Sequence, residues 1–210
     1  MKRGGIILCG GKSTRMGLPK ATLPLGDELM LQCVVRLLGE AVEQIVVVAA
    51  PEQDVPTLPS EVLLVRDHRE GRGPLEGLSA GLEALDGQVD AAYITGCDVP
   101  LLVPAFVSRL FQLLGEHQIA VPYVDGYHQS LSAVYRTDVL HTVRELLAAD
   151  RMRPFFLFES VSTLVVEENE LREVDPTLNT LRNLNQKEDY LAVLDELGLD
   201  LPETVKRKLR

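Results

Sequence analysis

Short apolar runs alternate with amphipathic stretches through the first half of the chain. Residues 6–8 are apolar throughout and predict a first strand. Between Met30 and Leu38, the side chains of Leu31, Val34, Val35 and Leu38 fall on one face of a helix. Residues 45–50 form a continuous apolar run, as in a strand buried on both faces. Residues 51–60 hold three prolines and predict a loop. A third strand follows at 62–65 and a helix at 74–85, with Pro74 in its first turn. Residues 91–95 predict a fourth strand and 104–114 another helix.

The pattern changes in the second half. Residues 119–123 and 131–135, with a turn at Asp125-Gly126, predict a hairpin. Thr137 or Asp138 is placed to cap a helix reaching about Ala149. Residues 162–166 and 171–174 predict two more strands. Asn185 is placed to cap a final helix over 187–197, with Gly198 just beyond its end. Strands alternating with helices predict an α/β, three-layer, Rossmann-like fold with a mostly parallel sheet and an antiparallel C-terminal portion. Without repeats or a linker, residues 1–210 read as one domain. The change of pattern divides it into an N-terminal half, about 1–115, and a C-terminal half, about 116–210.

Composition narrows the function classes. A net charge of −10 argues against nucleic acid as a partner, which calls for a basic surface. No apolar run nears the roughly 20 residues that cross a bilayer, so no membrane role is expected. The apolar run after Lys2 and Arg3 is too short for a signal-peptide core, and a cytoplasmic location is expected. Cys9, Cys33 and Cys97 are odd in number and match no zinc spacing; they read as free thiols.

The candidate chemistry begins directly after the first strand, at Leu8-Cys9-Gly10-Gly11-Lys12-Ser13-Thr14-Arg15-Met16-Gly17-Leu18-Pro19-Lys20. Adjacent glycines let backbone N–H groups approach an anion, and Arg15 and Lys20 supply cations for phosphate oxygens. It is not a P-loop, because the first glycine of that pattern would fall on Ile6. Nor is it a dinucleotide fingerprint, because Lys12 stands at the second glycine. Ligands of open parallel sheets sit at the carboxyl ends of strands. Arg66-Asp67 and Cys97-Asp98 follow the third and fourth strands and sort to that edge. Asp98 is a hard oxygen ligand suited to Mg²⁺, or alternatively a helix cap. Gly71-Arg72-Gly73-Pro74-Leu75-Glu76-Gly77-Leu78 is either a close backbone approach to a ligand or simply a tight turn into a helix.

Together these motifs resemble the molybdenum cofactor nucleotidyltransferases of the molybdopterin-guanine dinucleotide synthesis protein A type, over nearly the whole chain. The first loop, Gly73-Pro74-Leu75-Glu76-Gly77-Leu78, Cys97-Asp98-Val99-Pro100 and Asn183-Leu184-Asn185-Gln186-Lys187-Glu188-Asp189 carry the resemblance. It implies the nucleotidyltransferase fold and transfer of GMP from GTP to molybdopterin or molybdenum cofactor, with release of pyrophosphate and Mg²⁺ as cofactor. Leu8, Cys9, Gly10, Gly11, Lys20, Asp67, Pro74, Leu75 and Asp98 would bind nucleotide. Arg15, Lys20 and Asp98 would be catalytic, with Asp98 the metal ligand. His128, Gln129, Asn183 and Asn185 would face the acceptor, although His128 also reads as a polar hairpin residue; residues about 1–115 would then form a nucleotide-binding half and about 116–210 an acceptor-binding half. Other proteins of molybdenum cofactor assembly are admitted as partners. Two departures stand out: Gln186-Lys187 replaces the family's Thr-Pro, and Ala49-Ala50 stands where relatives often place Asn, leaving any base contact there to the backbone. The alternatives are a cytidylyltransferase acting on molybdopterin or a sugar or polyol phosphate, and a non-catalytic nucleotide-binding regulatory module.

Overall fold

β1 (Arg3–Leu8) is buried along most of its length, because parallel strands flank it on both sides. These are β4 (Gln44–Ala49) and β6 (Ala91–Gly96), both runs of small and β-branched residues buried almost throughout. The computed structural model describes residues 1–10, 18–67, 73–201 and 205. Gly11 and Arg15, expected in the phosphate loop, lie outside the described residues. Beyond β4, β5 (Leu63–Arg66) closes one edge of the sheet in parallel. Beyond β6 comes β9 (Ala133–Arg136), antiparallel, and then β7 (Ile119–Val124) and β10 (Thr163–Glu167). The sheet order is β10-β7-β9-β6-β1-β4-β5, with β8 (Tyr127–His128) folded back on the end of β7. The predicted mixed sheet is therefore present, with β8 and β9 its antiparallel members.

Helices cover both faces. α1 (Met30–Gly39), α3 (Pro104–Leu113) and α6 (Glu168–Arg172) pack on one side, where Ile7, Val34, Leu38, Phe106 and Leu110 are buried. α2 (Pro74–Ala84), α4 (Leu140–Ala148) and α5 (Pro154–Ser160) cover the other, over Ile6, Ile94, Val121 and Tyr135. α2 lies very close to β1. A Cβ on Gly77 would sit 2.9 Å from Leu8, and one on Gly81 would sit 2.6 Å from Ile6. Gly73 has φ +80°, the left-handed region that favours glycine, and it turns the chain into Pro74. The two readings of the second glycine motif are thus partly separated: Gly77 is a packing glycine and Gly73 a turn glycine.

A third cluster ties the two ends of the chain together. The hairpin β2 (Pro24–Leu25) and β3 (Glu28–Leu29) buries Leu23 and Leu25 against Met30 and Cys33 of α1. α7 (Lys187–Glu196) packs Tyr190, Val193 and Leu194 into the same cluster, and the Tyr190 hydroxyl donates to the Pro24 carbonyl.

Three local expectations are corrected. Residues 171–174 are not a strand. Leu171 and Val174 are three apart, the spacing of a helix face; Leu171 is buried at the end of α6, and Glu168 pairs with Arg172 across one turn. Asn185 does not cap the last helix: Asp189 reaches back to accept from the Asn185 and Gln186 N–H groups at 3.0 and 2.8 Å. Neither Thr137 nor Asp138 caps α4, because residues Thr137–Val139 form a 3-10 turn ahead of it.

Candidate active site at the carboxyl edge of the sheet

Strand directions bring the C-terminal ends of β1, β4, β5, β6 and β7 to one edge, with the start of β9. The chain leaves β1 at Cys9-Gly10 and leaves the neighbouring β6 at Cys97-Asp98. The Cys97 N–H donates to the Leu8 carbonyl at 3.1 Å, so the two exits are adjacent. Gly10 is exposed, and a Cβ built on it would meet nothing within 4 Å. Cys9 and Cys97 are buried as free thiols. The facing Cys97 thiol and burial both push Cys9 well above its ordinary pKa, while burial pushes Cys33 up to about 12. Neither setting produces a reactive thiolate.

Asp98 and Lys20 meet at this edge. Lys20 Nζ donates to Asp98 Oδ2 at 2.7 Å and to Asn185 Oδ1 at 3.1 Å. The lysine and aspartate side chains are only 18% and 17% exposed, so the pair is partly shielded from water. Asp98 caps no helix, since α3 begins at Pro104 after Val103. Asp98 Oδ1 turns back over Gly96, where an added Cβ would lie 2.5 Å away. The missing side chain at Gly96 gives the carboxylate its seat. Gly96→Ala is expected to lower turnover by about tenfold or more by displacing that carboxylate, with little loss of folding stability. Steady-state rates alongside a thermal melt check this.

The packing explains how residues 165 positions apart come together. Lys20 begins the 3-10 turn Lys20–Thr22 that leads into the β2–β3 hairpin, and Asn185 lies just before α7. The shared hydrophobic cluster clamps hairpin against helix. Leu184 is buried in it, leaving Asn183 and Asn185 exposed on either side. The Leu184 N–H donates to the Asp98 carbonyl at 2.9 Å, which ties the C-terminal motif to the Asp98 loop. Asn185 therefore stands with Lys20 and Asp98, nearer the expected nucleotide residues than a separate acceptor half would place it.

Three residues that support this cluster carried no chemistry in the sequence. The Asp175 carboxylate, 2% exposed as a residue, accepts from the Asn179 N–H, the Thr180 N–H and the Thr180 hydroxyl. Thr180 Oγ1 then accepts from the Val103 N–H at 3.0 Å, joining the strap before Asn183 to the loop after Asp98. The signal for this turn is Asp175-Pro176-Thr177, a turn-forming run. The third residue is Gln53, which donates to the Cys9 carbonyl at 2.9 Å.

The remaining expected site residues spread along the same edge. Asp67 follows β5, two strands from β1, and its N–H donates to the Ala49 carbonyl at 2.9 Å. Pro74 and Leu75 open α2; the Leu75 side chain is buried in the core, leaving only its backbone to a ligand. His128 and Gln129 lie across the sheet on the β7–β8 hairpin. His128 packs against Tyr123 and Phe158, with ring centroids 5.1 and 5.4 Å away. The Gln129 N–H donates to the Pro122 carbonyl. Among the described residues no cluster of three or more His, Cys, Asp or Glu could hold a metal, and no helix is long and apolar enough to cross a membrane.

A lysine and an aspartate thus meet near the end of the first strand at the sheet's carboxyl edge, where the sequence placed its candidate nucleotide chemistry. A family model described as the MobA-like NTP transferase domain matches residues 5–163, and the chain belongs to that family. A probable molybdenum cofactor guanylyltransferase of Mycobacterium tuberculosis H37Rv is 36% identical over 186 residues, covering 86% of this chain and 88% of its own length. One from Mycobacterium avium is 32% identical over 198 residues, covering 92% and 95%. Among solved structures, molybdopterin-guanine dinucleotide biosynthesis protein A from Archaeoglobus fulgidus superposes with TM-score 0.78 at 20% identity, over 94% of this chain and 99% of its own.

Proposed function

We propose that this protein transfers GMP from GTP to the terminal phosphate of molybdopterin or molybdenum cofactor, releasing pyrophosphate. The observation that carries this reading is Lys20 held between Asp98 and Asn185 near the end of β1. An ammonium has three donors. Among the described residues Asp98 and Asn185 take two, which fixes the amine and leaves the third for a phosphate oxygen. The Gly10 backbone lies open at the same edge, and the start of α2 contributes a helix N-terminus there.

The acceptor phosphate is already anionic, so it needs no general base. The protein's work is to align it with the α-phosphorus and to neutralise charge as pyrophosphate leaves. Lys20 supplies the placed positive charge. Asn185 and Asp98 keep it from swinging into solvent. Asp98 presents one carboxylate on a rigid strand end, a donor set that suits a Mg²⁺ ion already carrying phosphate oxygens. Such an ion would supply further charge neutralisation on the phosphates. Tyr123, His128 and Phe158 offer an aromatic surface for the acceptor's heterocycle.

Calorimetric titration with GTP, CTP and ATP in the presence of Mg²⁺ tests the nucleotide. GTP is expected to bind most tightly. Equal or tighter CTP binding would assign the chain to cytidylyl transfer.

A further inference from the structure

The loop after β4 reaches back into the sheet. Cys9 donates its N–H to the Val48 carbonyl at 2.8 Å, which is the last main-chain rung between β1 and β4. In a parallel ladder the next rung would run from the Ala50 N–H to the Cys9 carbonyl. Instead a side chain stands between them. The Ala50 N–H donates to Gln53 Oε1 at 3.2 Å, and Gln53 Nε2 donates to the Cys9 carbonyl at 2.9 Å. One carboxamide replaces the rung, satisfies both backbone groups and parts the two strands at the end of β1. Arg66, at the end of β5, holds this arrangement: its guanidinium donates to the Ala50 and Gln53 carbonyls at 2.9 and 2.7 Å.

We propose that Gln53 is a positioning residue for the nucleotide, with Arg66 as its support. The inference rests on the nucleotide site read above. The Cys9 carbonyl and the Gly10 N–H belong to one planar trans peptide, so they point in opposite directions. The sheet fixes the Cys9 N–H but not the plane of the peptide that follows. Gln53 fixes that plane by holding its carbonyl edge. The Gly10 N–H is thereby aimed away from Gln53. Among the described residues no acceptor meets it, and Gly10 is exposed with nothing near its Cβ position. A backbone N–H held in this way is a preorganised donor for an anionic ligand. Gln53 thus acts through the main chain.

Gln53→Glu gives the sharpest test. The carboxylate keeps the size and the acceptor for the Ala50 N–H, but it cannot donate to the Cys9 carbonyl and repels it. At about pH 8, with the carboxyl ionised, the variant is expected to bind GTP about tenfold more weakly than the parent, the scale of one lost hydrogen bond with an unpaired partner. Its Gly10 amide resonance should move from the parent position. Near about pH 5, where the carboxyl begins to protonate and can donate again, both differences should shrink. Arg66→Ala should shift the Gly10 resonance in the same direction but less. An unmoved Gly10 resonance, or parental GTP affinity at both pH values, would overturn the inference. If the parent protein itself fails to bind GTP, the guanylyl reading falls, and the Gly10 resonance alone decides the role of Gln53.

Discussion

Asp98→Ala is expected to lose about 100-fold or more of its turnover while remaining folded, because the carboxylate proposed to seat Mg²⁺ and to anchor Lys20 beside the phosphates disappears. Asp98 sits at a strand end with its side chain partly open to solvent, so its removal leaves no packed cavity. Lys20 keeps its bond to Asn185 and stays near the site, but with one of its two anchors gone. The loss should therefore appear mainly in kcat, with a smaller rise in the KM for nucleotide. Initial rates, circular dichroism and a thermal melt separate the two effects. Near-parental turnover in a folded Asp98→Ala protein would remove Asp98 from the chemistry.

The largest loss of stability is expected at a residue that touches no substrate. Asp175→Ala should cost about 3 kcal/mol, because it leaves buried donors at Asn179 and Thr180 without their acceptor. Leu178, inside the same turn, has φ 52° in the left-handed region, a conformation that the turn's hydrogen bonds must hold. Releasing the turn also frees Thr180 from Val103, and the Asn183–Asn185 segment from the loop that carries Asp98. Urea unfolding measures the loss. The same variant should bind nucleotide more weakly at temperatures where it is still folded.

The fold was largely legible because its strands are either continuous apolar runs, such as β4, or bounded by turn residues, such as β7. What the sequence obscured were short elements defined by their neighbours. The two-residue strands β2 and β3 carry no period of their own. Leu171 and Val174 look like a strand until their spacing is set against the Glu168–Arg172 pair. At the candidate site, residues near a strand end were legible: Cys9, Gly10 and Asp98 lie within two residues of the ends of β1 and β6. Contacts made through packing were not. Asn185 reaches Lys20 because a hydrophobic cluster joins the β2–β3 hairpin to α7, and no local pattern records that cluster. Gln53 was hidden for a similar reason: a glutamine in a proline-rich loop reads as solvated, and only the interrupted ladder between β1 and β4 reveals it.

The Lys20–Asn185 hydrogen bond connects the two proposed halves of the chain. Lys20 arrives from the N-terminal hairpin, Asp98 from the central strand β6 and Asn185 from the strap before α7. The reacting phosphates would then lie where the halves converge, as a reaction between two phosphate-bearing substrates requires.

The central claim is tested most directly by following the label from GTP carrying a radioactive α-phosphate, incubated with the protein, Mg²⁺ and molybdopterin or molybdenum cofactor. The account predicts that label enters a pterin–guanine dinucleotide in step with pyrophosphate release, and that neither occurs without acceptor. Label transferred from CTP in preference to GTP, or no transfer from either nucleotide by a folded protein, would contradict it.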